Sequence, residues 1–167
     1  MNKLVKLVLS STIVLGTAMG ANVVQDNETS TEAHAATKPW YNYTGYTASQ
    51  GSFVLDQNFI NAVKYNNFTI NGYTMDGKVS EKGSKFVYPY DQKIAKTSKN
   101  TGSVVYLKLG KSVTSKQIID KYGKPEIDNV TEKTGDYRYH IGYSSIDFYV
   151  KDGYAYKAML DTHYNKN

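Results

Sequence analysis

The chain has no cysteine among its 167 residues, and only three histidines. The first absence removes disulfides, thiol nucleophiles and thiolate-bound zinc together. The second leaves little for acid–base chemistry, because only His140 and His163 lie beyond the N-terminal segment and neither sits among carboxylates at metal-ligand spacing. Long apolar runs are also missing, apart from residues 7–19, which Gly16 interrupts. That run is too short to span a bilayer comfortably. With Lys3 and Lys6 before it and Ala33-His34-Ala35 followed by Ala36 after it, the segment has the form of a secretory leader cut between Ala35 and Ala36. The expected organisation is a signal peptide over 1–35 and a single exported domain over 36–167, secreted and extracellular, with partial association to the cell surface and no transmembrane span. Export without cysteine fits a Gram-positive source.

What the chain does have is tyrosine and lysine. There are 16 tyrosines and one tryptophan, and the whole sequence carries a net charge of +5. Loss of the leader removes two positive residues (Lys3, Lys6) and three negative ones (Asp26, Glu28, Glu32), leaving +6. Rings with a flat π-face set among cations suit a surface that grips a polyanion or another protein. Phosphate polymers, wall polymers and acidic host surfaces all attract such a domain, and charge alone does not choose among them.

Catalytic readings find no support. Gly110-Lys111-Ser112 resembles the end of a phosphate-binding loop, but the glycine required five positions earlier is Val105. Asp147, Asp152 and Asp161 meet the requirement for a glycosidase pair only in the weak sense that many proteins do. A nuclease calls for clustered carboxylates or paired histidines, and neither is visible. The chain is expected not to be an enzyme and to need no metal or cofactor.

Hydrophobic spacing predicts a helix over residues 52–65, with Phe53, Leu55, Phe59, Ile60 and Val63 on one side, Ser52 as cap and Asn66-Asn67 as stop. Strands are expected at 68–75, 85–90 and 103–109, separated by Asp76-Gly77 and a polar loop over 93–102. The order then repeats. A helix over 116–122 ends at Gly123, with Pro125 beyond, and strands follow at 137–143, 145–150 and 154–160, the last two joined by a tight turn at Lys151-Asp152-Gly153. The fold class expected is α+β: two helix-plus-three-strand halves forming an antiparallel sheet with helices on one face.

Alternation along the strands assigns the faces. Tyr139 and Ile141, then Ile146, Phe148 and Val150, then Tyr156, Ala158 and Leu160 should face the helices, with Val105, Leu107 and Leu109 beside them. The open face is then Tyr106, Lys108, Arg138, His140, Asp147, Tyr149, Ala155 and Lys157. Of these, Tyr106, Lys108, Arg138, His140, Tyr149 and Lys157 are the candidate contacts for nucleic acid, rings for bases and cations for phosphates. A second basic region runs over 78–99 and holds Lys78, Lys82, Lys85, Lys93, Lys96 and Lys99, which would neutralise phosphate without reading sequence. Near the start of the domain, Lys38, Trp40, Tyr41, Tyr43 and Tyr46 either stack on bases or tuck against the sheet edge to tie the terminus down, and the second is expected.

The run Tyr41-Asn42-Tyr43-Thr44-Gly45-Tyr46, followed by Phe53-Val54-Leu55-Asp56-Gln57-Asn58-Phe59-Ile60-Asn61-Ala62-Val63-Lys64-Tyr65, resembles the opening of the mature chains of the immunodominant staphylococcal antigen B family. The leader ending in Ala-x-Ala, the overall length and the pattern Ser-x-x-x-Ile-x-x-x-Tyr-Gly from Ser115 to Gly123 agree with that resemblance. It implies a secreted, partly surface-associated staphylococcal antigen, linked to virulence, that binds extracellular DNA or RNA with little sequence preference; it assigns no contact residue. The alternative is a module that binds host proteins or wall polymers. Gly110-Lys111-Ser112 with Lys121-Tyr122-Gly123-Lys124-Pro125 is similar to segments of small exported helix–sheet modules that include a β-lactamase inhibitor, which agrees with protein binding.

Overall fold

The structure is a computed structural model and describes residues 37–78, 85–126, 131 and 133–163. Every described element belongs to the unit Ala36–Asn167. The expected leader, its cleavage position at Ala35 and Ala36, and Lys82 lie outside the described residues.

The first helical region is three pieces rather than one. A single turn, α1 (Thr47–Gln50), runs into a 3-10 turn over Gly51–Leu55 and then into α2 (Gln57–Lys64). The break falls at Asp56, whose backbone is extended and whose carboxylate accepts from the Asn58 amide at 2.7 Å. An aspartate that satisfies the first amides of a helix starts a new helix better than it continues an old one. Phe59, Ala62 and Val63 recur at helical spacing and are wholly buried. The helix ends at Asn66, which takes the left-handed conformation at φ 52°. The later helix, α3 (Ser115–Tyr122), has a full capping box: Thr114 accepts from the Gln117 amide, and the Gln117 side chain accepts from the Thr114 amide.

The described residues form nine strands: β1 (Tyr41–Tyr43), β2 (Phe68–Ile70), β3 (Tyr73–Met75), β4 (Lys85–Val87), β5 (Lys93–Lys96), β6 (Thr101–Lys108), β7 (Thr134–Ile141), β8 (Ser144–Lys151) and β9 (Tyr154–Asp161). The path through the sheet is β1-β2-β3-β6-β9-β8-β7, and the β4–β5 hairpin attaches to β6. This corrects the expected architecture. The protein is mixed α/β with mostly strands, and the sheet is mixed rather than antiparallel, since β1 runs parallel to β2 and β3 parallel to β6. The cause is a missed turn. Residues 68–75, expected as one strand, are a hairpin folded at Asn71-Gly72, both with positive φ (47° and 84°), so β3 reverses and meets β6 in parallel. Among the described residues, the second half keeps the order of one helix and three strands, whereas six strands fall in the first.

The core lies between the helices and one side of the sheet, where Val105, Leu107, Leu109, Ile146, Phe148, Ala158 and Leu160 meet Phe59, Val63 and Ile118. The helix α2 packs on β1 and β2 at one end of the strand order and on β7 at the other, so the sheet curls around it. The aromatic lead serves this core. Tyr43 stacks on Phe53 with centroids 4.2 Å apart, and Tyr41 meets Phe59 edge-on at 5.9 Å, while Trp40 and Tyr46 stay exposed. No described helix is long and apolar enough to cross a membrane.

Candidate nucleic-acid interface

Each long strand has one side committed to the core, and the pleat turns the alternate residues away from it. On β6 these are Tyr106 and Lys108, on β9 Lys157 and Met159, on β8 Asp147 and Tyr149, and on β7 Arg138. The register joins them: Tyr106 stands opposite Met159, Lys108 opposite Lys157, Tyr149 opposite Lys157, and Arg138 opposite Asp147. The β4–β5 hairpin extends the same side, with Lys93 opposite Tyr106. Among the described residues no helix covers it.

Aromatic rings and ammonium groups alternate there. The Lys93 ammonium lies 3.9 Å from the centre of the Phe86 ring and 5.4 Å from that of Tyr106, and the Lys157 ammonium lies 3.6 Å from that of Tyr149. Tyr156 joins this group beside Tyr149, at a centroid distance of 6.4 Å. Burial, followed by the charges of Asp147 and Asp136 and the neighbouring Tyr106, pushes the Tyr149 hydroxyl above its ordinary value, with Arg138 opposing. Tyr149 is therefore a neutral ring at physiological pH. Lys108 and Lys157 are directly opposed on neighbouring central strands, and the Lys157 ammonium leans away from Lys108 onto Tyr149 on the far side of β9.

The face differs from its expected form in three ways. Ala155 is buried, not open, and Tyr156 is 48% exposed instead of facing the helices. A bulge between Tyr149 and Val150 leaves Tyr156 without a partner in the β8–β9 register and reverses the alternation before it. Arg138 is committed to Asp147: its Nε and a terminal nitrogen donate to the two carboxylate oxygens at 2.7 and 2.9 Å. That carboxylate is almost wholly buried, so the pair is a fixture of the sheet. His140 pairs with Glu126 at the outer edge of β7 rather than joining the lysines. Carboxylates also border the cationic area, with Asp161 opposite Val104 on one side and Asp136 opposite Tyr149 on the other.

The lysines of the second basic region scatter. Lys93 joins the face. Lys85 is one residue out of phase with Phe86 and stands opposite Lys96 across the β4–β5 pairing. Lys78 sits in the turn after β3 beside Asp76, at 3.8 Å, and Lys99 is exposed in the turn between β5 and β6. Sequence reasoning placed Lys93 in a loop because Lys93-Ile94-Ala95-Lys96 is too short and too basic to read as a strand. It also missed Phe86, whose role depends on that strand.

His140 and Glu126 line a cavity of about 410 Å³ between α2, α3 and β7, with Lys64, Lys121 and Lys124 around it and Ile60, Tyr122 and Tyr139 among its walls. The tyrosine hydroxyls there are engaged: Tyr122 donates to the Val54 carbonyl and Tyr139 to that of Gly123. Burial raises both hydroxyls well above the ordinary tyrosine value.

A family model described as immunodominant staphylococcal antigen B matches residues 40–160. The chain is 37% identical over 127 residues to the immunodominant staphylococcal antigen B of Staphylococcus aureus strain USA300, an alignment covering 74% of this chain and 71% of that protein. The same figures hold for the protein of strain NCTC 8325 / PS 47. Among solved structures, a DUF4309 family protein from Bacillus subtilis is similar at a TM-score of 0.43 and 16% identity over 67% of this chain and 98% of that one, too loose a likeness to bear on function. The resemblance carried by residues 41–65 holds across the domain, and the chain belongs to the immunodominant staphylococcal antigen B family.

Proposed function

We propose that this chain is an exported, non-enzymatic protein that binds extracellular nucleic acid, DNA or RNA, with little regard to sequence, through the open side of β5, β6, β9 and β8. The observation that carries the reading is the Lys108–Lys157 opposition with Lys93 nearby. Their strands place three lysine side chains on one side of the sheet, and a phosphate chain laid across that side meets each of them in turn. The exposed Lys78, Lys85 and Lys99 add to the positive field that draws a polyanion in. Arg138 and His140 are not assigned phosphate contacts, because each already has a carboxylate partner. A family known as staphylococcal antigens agrees with a secreted, surface-associated, virulence-linked role.

An electrophoretic mobility titration of residues 36–167 against oligonucleotides of unrelated sequence, at several salt concentrations, tests the proposal. Binding that weakens steeply with salt and differs little between sequences is expected. Salt-insensitive binding, or none at low salt, refutes it. A second reading, recognition of a host protein or wall polymer, draws on a separate observation: Tyr46 and Tyr90 meet edge-on at 5.0 Å, with both rings more than half exposed. Aromatic anchors of this kind dominate protein interfaces. A partner retained from serum after nuclease treatment and high salt supports that reading over the first.

A further inference from the structure

We infer that the rings of this face are seats for lysines and not platforms for bases, so that, on the nucleic-acid reading above, the protein grips the sugar–phosphate backbone and leaves the bases alone. The strand order sets the arrangement. Phe86 on β4, Lys93 on β5, Tyr106 on β6, Lys157 on β9 and Tyr149 on β8 form a slanting row across five neighbouring strands: ring, cation, ring, cation, ring. Strands lie about 4.8 Å apart, which puts the anchor points of Lys93 and Lys157, two strands distant, on the order of 10 Å from each other.

A base stacks on an aromatic side chain by covering its face. Here the Lys157 ammonium covers the face of Tyr149 at 3.6 Å, and the Lys93 ammonium covers that of Phe86 at 3.9 Å. A base entering either position must first displace a cation. The reverse geometry costs nothing: a lysine held over a ring keeps its charge and its hydrogens for a phosphate. It also gives up less freedom when the phosphate arrives. Tyr149 is half-buried between its neighbours, which suits a support more than a platform. Tyr156 is the most exposed ring of the group, so it is the residue on which a base-stacking account would have to rest. The occupant inferred is the backbone of a nucleic acid, with single and double strands both accepted.

The test uses residues 36–167 and fluorescence anisotropy at one fixed low salt. A single-stranded oligonucleotide is compared with an abasic one of equal length, and inorganic polyphosphate is added as competitor. The abasic strand should bind within about threefold of the other, whereas each lost stacking contact costs roughly 5- to 150-fold. Polyphosphate should displace both. The variants Phe86→Leu and Tyr149→Leu keep an apolar body and lose the π-face; each should weaken oligonucleotide and polyphosphate alike by roughly two- to fivefold, and Tyr156→Leu should change neither. An abasic strand bound tenfold or more weakly, polyphosphate that fails to compete, or ring variants that weaken only the base-bearing strand overturns the inference while the nucleic-acid reading stands. If no oligonucleotide binds at low salt, the nucleic-acid reading falls and takes the inference with it. The comparisons on the unaltered protein decide the matter even if a variant fails to fold.

Discussion

Replacing Lys93, Lys108 and Lys157 together by alanine probes the opposed-lysine face directly. Each lysine that neutralises a phosphate releases counterion and contributes about 0.9 to the slope of log affinity against log salt on duplex DNA. Three such contacts contribute about 2.7, so between 50 and 200 mM salt the unaltered protein should lose about 40-fold more affinity than the triple variant. Folding should be little changed. Lys108 is exposed, and the contacts that Lys93 and Lys157 make with rings are each worth only about 0.5–1 kcal/mol. The assay is anisotropy of a labelled duplex at four salt concentrations, with circular dichroism melting of both proteins. A triple variant that stays folded and keeps the full salt slope refutes the reasoning, because the phosphates would then be met elsewhere.

Arg138→Ala should act on stability rather than binding: it strips the buried Asp147 carboxylate of a two-pronged partner, and a loss of about 1–3 kcal/mol in urea unfolding is expected, moderated by the partial exposure of Arg138, with the salt slope unchanged. Thr114→Ala removes one half of the capping box of α3 and should cost about 1 kcal/mol in the same assay. Alkaline pH should destabilise the fold. Tyr122 and Tyr139 hold their protons in the folded state well above the ordinary value of 10.0, so above that pH the unfolded chain releases protons that the folded one retains. Their stabilising contribution is complete below pH 10 and declines as pH rises past it; a melting series from pH 8 to 11 checks the sign, and a flat profile contradicts it.

The second half of the domain was legible in the sequence because its signals are long and agree with one another. Eight-residue strands with clear alternation and an Asp152-Gly153 turn leave few other readings. In the first half every described strand but β6 is three or four residues long, too short for a period to declare itself, and parallel pairing has no local signature at all. The Asn71-Gly72 turn was the one available signal for the correct topology, and the apolar run around it concealed it. The open face was readable to the extent that alternation holds. Tyr106, Lys108, Tyr149 and Lys157 are where the period puts them, and the bulge that moves Tyr156 outward has no mark in the residues around it. Charge pairing was the other blind spot. Arg138 and Asp147 were both placed on the face, but only the β7–β8 register shows that they neutralise each other.

The most direct measurement is a map of backbone amide chemical-shift changes on residues 36–167, isotopically labelled and titrated with a short duplex at low salt. The changes should concentrate on Lys93, Tyr106, Lys108, Tyr149 and Lys157 and vanish when salt is raised. Changes centred instead on the cavity bounded by Lys64, Lys121 and Lys124, or on the exposed Tyr46–Tyr90 pair, would contradict the account.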